Sequence, residues 1–330
     1  MKHKLSSRAI TLAVCLLAVL VGLLLLFGGL EKLIGRQDYV PSEDTGNADT
    51  SGRIFYNNTW YEPKESLETI LVLGIDTSET VEKGSEQVDF LVLLLLDRAE
   101  QNFRLLHLNR DTMTDIIRKD MYGRDAGTFR GQLALAHAYG GNPDSGCRNT
   151  VKVVENLLYG VEIDHYISFT MDAVSILNDR VGGVTLALQD DFSHLDPTYT
   201  KGTVVTLTGT QALDYVRERQ SLEDSSNLHR MERQRQYIGG LFEAYAAAVE
   251  NGEEDFSLDT LLAVNAYMVS DCTADQLAAL TDTMGQYTYN GIDTLPGEAV
   301  PGTSYMEFHL DDAAVQEMVI ALFYDQVSDT

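Results

Sequence analysis

Residues 9–30, AITLAVCLLAVLVGLLLLFGGL, carry no charged side chain, and this run constrains the chain more than any other feature. At ~1.5 Å per residue a helix of that length reaches ~33 Å, about one hydrocarbon core, so the run reads as a transmembrane helix. Lys2, Lys4 and Arg8 precede it, whereas Glu31 to Asp49 is mixed to acidic. The positive-inside rule then places residues 1–8 in the cytoplasm and all that follows the span outside, a single-pass type II topology. A cleaved signal peptide is the competing reading, but the run exceeds a usual signal core and no small-x-small site closes it. Cys147 and Cys272 would face an oxidising compartment, where they either pair or stay apart. The three cysteines include no C-x-x-C pair, which argues against a zinc ribbon or a dithiol redox site.

Beyond the span, residues 37–66 mix Ser, Asn, Asp, Gly and Pro without a helical or alternating period, as a spacer would. The folded part is expected to begin near Glu68. TILVLGID (69–76), DFLVLLLLDR (89–98) and NFRLLHLNRD (102–111) are apolar runs of strand length, and their near-continuous hydrophobicity implies central strands covered on both faces. Helical patterns follow at 131–141, 149–160 and 171–183, with strands at 164–170 and 184–188 between and after them. Thr208 or Thr210 is placed to cap a helix ending near Arg217, and another begins near His229 with Ile238, Leu241, Phe242 and Tyr245 at helical spacing. Further helices are expected at 259–268, 273–286 and 311–326 around an irregular LPG stretch. Strands interleaved with helices in this order indicate an α/β fold, a sheet sandwiched between helices.

Strand direction brings charges together. In an up-down-up meander the end of the first strand, the start of the second and the end of the third share one edge, so Asp76, Asp89, Arg110 and Asp111 should gather. Such a group suits a hard divalent cation with a bound phosphate, or simply turn-capping aspartates paired with Arg110. A second collection is Arg217, Arg219, Arg230, Arg233 and Arg235, in a chain whose 50 acidic against 24 basic residues leave a net charge of −26. That overall charge disfavours nucleic acid as a partner. Arg230, Arg233 and Gln234 share a helix face near an N-terminus, where basic side chains oppose the macrodipole and a bound anion would relieve them. The competing reading gives Arg217 and Arg219 a helix C-terminus and pairs the others with Glu218, Glu223 and Glu232.

Taken together, LVLGID with Asp76, VDF with Asp89, NRDT with Arg110, LALAHAYGG, DHYISF, VGGV, LTGTQALDYVRER and HRMERQRQ resemble the LytR-CpsA-Psr family in order and spacing. The resemblance implies an α/β/α sandwich with a central mixed sheet over 68–250, preceded by the anchor at 9–30 and a linker at 31–67. A C-terminal extension at 251–330, with the family-like TLPG at 294–297, would pack on that core. It further implies a transferase that moves a glycopolymer (teichoic acid, capsular or related polysaccharide) from undecaprenyl pyrophosphate to peptidoglycan, outside a Gram-positive type membrane. By position, Asp76 and Asp89 would hold Mg2+ or Mn2+, and Arg110, Arg217, Arg219, Arg230, Arg233 and Gln234 would bind the pyrophosphate at the mouth of a long apolar pocket.

Three motifs depart from the family pattern. Its R-S-D reads Gln87-Val88-Asp89 here, its P-R-D-T reads Asn109-Arg110-Asp111-Thr112, and its D-x-G-R reads Asn227-Leu228-His229-Arg230. A carboxylate that would orient Arg230 is thus an amide, with Asp224 a candidate substitute. Asp111, Asp224 or a metal-polarised acceptor hydroxyl remain open as the base. The rival functions are a polyprenyl pyrophosphate phosphatase and a noncatalytic binder of lipid-linked polymer.

Overall fold

The computed structural model describes residues 52–77, 84–219, 221–251, 260, 263–273, 276, 280, 283 and 286–327. The expected span at 9–30 lies outside them, and no helix among the described residues is long and apolar enough to cross a membrane. A hairpin of β1 (Ile54–Tyr56) and β2 (Thr59–Pro63) leads into β3 (Leu67–Ile75), β4 (Val88–Asp97) and β5 (Asn102–His107), the meander expected from the apolar runs. A second hairpin, β6 (Met113–Lys119) and β7 (Asp125–Gln132), precedes α1 (Pro143–Leu157). Next come β8 (His165–Thr170), α2 (Asp172–Arg180), β9 (Val184–Ala187), β10 (Val204–Leu207), α3 (Gly209–Arg217) and α4 (Asn227–Asn251). The chain continues through β11 (Met268–Ser270), β12 (Thr288–Thr294), β13 (Gly297–Pro301), β14 (Met306–Leu310), α5 (Asp312–Phe323) and β15 (Tyr324–Gln326).

Six strands form a mixed central sheet in the order β11-β8-β3-β4-β5-β12, with β3/β8 and β5/β12 parallel and the other pairs antiparallel. Side chains alternate across it. Leu71, Leu73, Leu91, Leu93 and Leu95 share one core with Val153 and Val154 of α1 and Val315, Val319 and Phe323 of α5. Ile70, Val92, Leu94 and Leu96 point to the opposite face, where Val72, Gly74 and Phe90 meet α2 and α4. Helices therefore cover both faces, which is why β3 and β4 show no polar alternation.

The ladder between β3 and β4 breaks at one point. Gly74 pairs with Phe90 and Ile75 with Val88, so Asp89 is the extra residue of a β-bulge. The bulge keeps Val88 in the same core as Leu91 and frees the Asp89 side chain from that face. Gly74 is required opposite it, because an added methyl would lie 2.9 Å from Phe90 Cβ and 3.4 Å from Met171 Sδ. Gly74→Ala is expected to destabilise the protein by about 1–3 kcal/mol. A lowered urea midpoint at unchanged slope checks this.

The structure departs from the sequence expectations in several places. Part of the stretch read as spacer is the β1–β2 hairpin, and β15 pairs with β2 to complete a three-stranded sheet. The helix expected at 131–141 is two short 3-10 turns, because Gly140 packs directly on Gly146 and Gly141 adopts φ 102°. Asn142 then caps α1, its side chain accepting from Ser145 N, with Pro143 at the first position. The β6–β7 hairpin was not anticipated, since β7 is largely exposed and polar and gives no apolar signal. The helix expected to reach Met268 ends earlier, and Met268 pairs with Phe169 as a sheet edge. The expected helix at 273–286 falls largely outside the described residues. Thr208 is the cap of α3, with a reciprocal Thr208–Gln211 capping box. Cys147 is buried and Cys272 half-buried, both as free thiols.

Candidate functional site

The meander brings Asp76, Asp89, Arg110 and Asp111 to one sheet edge, and α3 and α4 deliver guanidinium groups to the same place. Arg217, the last residue of α3, donates from Nη2 to both carboxylate oxygens of Asp76, at 3.2 and 3.1 Å. Asp89 is buried between two arginines, Arg110 Nη1 on Oδ1 and Arg230 Nη1 on Oδ2, the latter at 3.1 Å. The Asp89 carbonyl, turned out by the bulge, faces Arg230 Nη2 at 3.5 Å. Arg219 lines an adjoining cleft and forms no side-chain hydrogen bond or ion pair among the described residues. Arg230 lies in the first turn of α4, which Ser226 caps by accepting from His229 N at 3.2 Å. It therefore opposes the helix dipole, as its position in the sequence indicated.

Electrostatically the site is overfilled with positive charge. Burial and the neighbouring Arg230 bring the Arg110 pKa down to about 10, and burial with Arg219 brings that of Arg230 down to about 9. Both remain cationic at neutral pH, but each is held against burial and like charge. Burial also raises the pKa of Asp111, against the lowering effect of Arg110. His107, beneath the cluster at the end of β5, is fully buried and held neutral, its pKa lowered to about 3 by burial, Arg235 and Arg230. Four guanidinium groups against Asp76, Asp89 and Asp111 leave a local excess that a bound anion would relieve.

Two of the divergent residues, Asn109 and Asn227, pair with each other. Asn227 Oδ1 accepts from Arg230 Nη2 at 2.6 Å, and Asn227 Nδ2 donates to Asn109 Oδ1 at 2.7 Å. Asn109 Oδ1 also accepts from Asp111 N at 2.9 Å, and Gln87 Oε1 accepts from Arg110 Nη2. Asn227, not Asp224, thus orients Arg230. Asp224 closes a local turn by accepting from Ser226 N at 2.9 Å.

Arg233 is placed differently from the other arginines. Its side chain is 0% exposed, and its nitrogens go to Asp190 Oδ2 at 2.7 Å, Tyr215 O at 3.1 Å and Glu218 O. Phe192 stacks near the guanidinium at 5.7 Å. These contacts tie the loop after α3 to α4. Asp190, which sequence reasoning missed, also takes His229 Nε2 at 2.8 Å, and its position in an aperiodic loop gave no signal. Gln234 lies one turn beyond Arg230, donates to Val216 O at 3.3 Å, and has a buried Oε1 without a partner among the described residues.

Gln234 also lines an apolar cavity of about 130 Å³ between the sheet and α2 and α4, with Val72, Phe90, Leu177, Tyr237 and Leu241 among its walls. That volume is near the ~150 Å³ of a cavity that admits benzene, so it is much shorter than the long pocket the resemblance implied. A separate polar cleft of about 290 Å³ shares Arg110, Asp111 and Arg219 with the cluster and is also lined by Gln132, Asn227 and Tyr305 among others.

A family model described as LytR_cpsA_psr matches residues 40–322. A polyisoprenyl-teichoic acid–peptidoglycan teichoic acid transferase TagU of Halalkalibacterium halodurans is 32% identical over 170 residues, covering 52% of this chain and 50% of that protein. The chain thus spans about half the length of that relative. The TagU transferase of Bacillus cereus is 28% identical over 265 residues, covering 77% of this chain and 78% of that protein. The crystal structure of Bacillus subtilis TagV superposes with a TM-score of 0.58 at 22% identity, covering 78% of this chain and 96% of that one, which shows a shared fold.

Proposed function

This chain belongs to the LytR-CpsA-Psr family, and from that premise we propose that it transfers a glycopolymer from a polyprenyl pyrophosphate carrier to peptidoglycan at the outer face of a membrane anchored by residues 9–30. One observation carries the reading: four guanidinium groups gather around Asp76, Asp89 and Asp111, and Gln234, one turn beyond Arg230, lines an apolar cavity. This is the arrangement a lipid diphosphate needs, with a charged headgroup directly attached to a hydrocarbon tail. The cavity as it stands accommodates the start of such a tail, and the relatives named as teichoic acid transferases support the choice of polymer class.

The reaction needs little covalent help from the protein. An acceptor hydroxyl attacks the phosphorus that bears the glycan, a new O–P bond forms, and the P–O bond to the polyprenyl phosphate breaks. Negative charge grows on the departing phosphate, so preorganised donors are the main source of acceleration. Arg110, Arg217, Arg219 and Arg230 supply those donors, and Asp89 and Asn227 hold Arg230 in place.

Asp76 and Asp89 offer only hard oxygen donors from neighbouring strand ends, the chemistry of Mg2+ or Mn2+. Both are engaged by guanidinium groups. Asp76 and Asp89 would hold such an ion through carboxylate lone pairs not used by Arg217, Arg110 and Arg230. When bound, such an ion would neutralise charge on the diphosphate oxygens.

The test is to incubate the full chain, in a lipid nanodisc, with polyprenyl-pyrophosphate-linked glycopolymer, peptidoglycan and Mg2+. Covalent glycan on peptidoglycan, with stoichiometric polyprenyl phosphate, is the expected result. Release of polyprenyl phosphate without that product would make the protein a phosphatase. Binding with neither product would make it a carrier, and either outcome overturns the transferase reading.

A further inference from the structure

The polar cleft beside the arginine cluster has a wall built from the C-terminal part of the chain. The β13–β14 hairpin is stitched to the segment after Arg110, with Phe308 N donating to Asp111 O at 2.9 Å and Thr112 bridging to Phe308. Gln132 Nε2 joins the two sides, donating to Met306 O at 2.9 Å and to Asp111 Oδ1 at 3.0 Å. The hairpin carries Tyr305, 47% exposed despite its size, which lines the cleft together with Asp111, Gln132 and Ser226. An aromatic face beside convergent polar groups suits a pyranose ring, which presents C–H bonds on one side and hydroxyls around its edge.

The direction of α4 shows what that ring would be. Asn227 lines the cleft, Arg230 stands in the cluster, and Gln234 lines the apolar cavity. Their spacing puts all three on one helix face, about a turn apart at each step. The cleft and the cavity therefore flank the guanidinium groups on opposite sides. In-line displacement at phosphorus requires this, with the attacking oxygen opposite the leaving one. If the polyprenyl phosphate departs toward the cavity, the nucleophile enters from the cleft.

Resting on the transferase reading above, we propose that this cleft is the acceptor subsite, where a pyranose ring of the acceptor glycan stacks on Tyr305 and its attacking hydroxyl gives its proton to Asp111. As the hydroxyl oxygen bonds to phosphorus, its proton passes to the Asp111 carboxylate, and the electron pair of the broken P–O bond leaves on the polyprenyl phosphate. Burial, which raises the Asp111 pKa, makes it a stronger base than an exposed carboxylate. Gln132 fixes its orientation.

A sugar in the cleft has two sources, the acceptor or the first residue of the donor glycan, and kinetics of the full chain separate them. Tyr305→Ala is expected to raise the acceptor KM about tenfold and leave the donor KM unchanged. Asp111→Asn is expected to lower kcat by about 10²-fold with donor affinity intact. The amide keeps an oxygen to accept from Gln132 Nε2 and escapes the burial penalty on the ionised carboxyl. A carboxyl whose folded pKa is raised loses stability as pH rises through that value, so the amide should melt no lower than wild type at neutral pH. A raised donor KM in Tyr305→Ala, or wild-type turnover in both variants, overturns the assignment. Calorimetric titration with a soluble peptidoglycan tetrasaccharide keeps this separate from the transferase reading. Saccharide binding lost in Tyr305→Ala supports the subsite even if wild type fails to transfer, and binding unaffected by that change sinks the subsite even if transfer is robust.

Discussion

Arg217→Ala should abolish most transfer, lowering kcat/KM on the order of 10²–10³-fold, while leaving the melting temperature nearly where it was. The two halves of that expectation have different sources. Arg217 stands at the end of α3 with its side chain 35% exposed, and its partner in the resting protein is Asp76. A pair this open to solvent contributes ~0–1 kcal/mol to folding, so its loss is thermally almost silent. Against a diphosphate, the same guanidinium is a donor aimed at charge that grows during the reaction. Steady-state assay of glycan transfer, with differential scanning calorimetry on the same preparation, checks both halves. Turnover within a few-fold of wild type would remove Arg217 from the site.

Arg233→Ala, only sixteen positions further along, should do the reverse. With its side chain fully enclosed, removal leaves Asp190 with His229 alone and takes the donors from Tyr215 O and Glu218 O. Breaking a buried pair in this way costs about 3–5 kcal/mol, a large share of a typical folding free energy of ~5–15 kcal/mol. For a domain of this size that corresponds to a drop of roughly 10 °C in Tm. The fraction that remains folded should bind a short-chain polyprenyl pyrophosphate with near-normal affinity. Loss of headgroup affinity at an unchanged melting temperature would instead place Arg233 among the phosphate ligands. Asp190→Asn, which keeps an acceptor for Arg233, should fall between the two in stability.

These two arginines mark how far the sequence could be read. The apolar runs of β3, β4 and β5 announced a meander, and a meander necessarily brings Asp76, Asp89 and Arg110 to one edge. Helical spacing likewise placed Arg230 in a first turn. Spacing could not separate Arg230 from Arg233, because which guanidinium faces the sheet edge and which faces Asp190 depends on the path of the loop at 188–203, where no period exists. The three departures were also opaque one at a time. Asn109 and Asn227 are 118 residues apart, and only folding shows that each supplies what the other lacks. The β6–β7 hairpin escaped notice for a compositional reason. Its second strand is exposed and rich in Gly, Thr and Arg, so it lacks the buried face that makes a strand legible. Tyr305 and Gln132, both lining the cleft, sit in segments of this quiet kind.

Because residue 89 has no counterpart across the ladder, its side chain can change without any neighbour on β3 having to change with it. What position 89 does answer to is charge, because its carboxylate lies buried between Arg110 and Arg230. A library there should keep the strand pairing but lose stability wherever the negative charge is lost, whereas at Val88 or Leu91, both at 0% exposure, the apolar packing itself should fail.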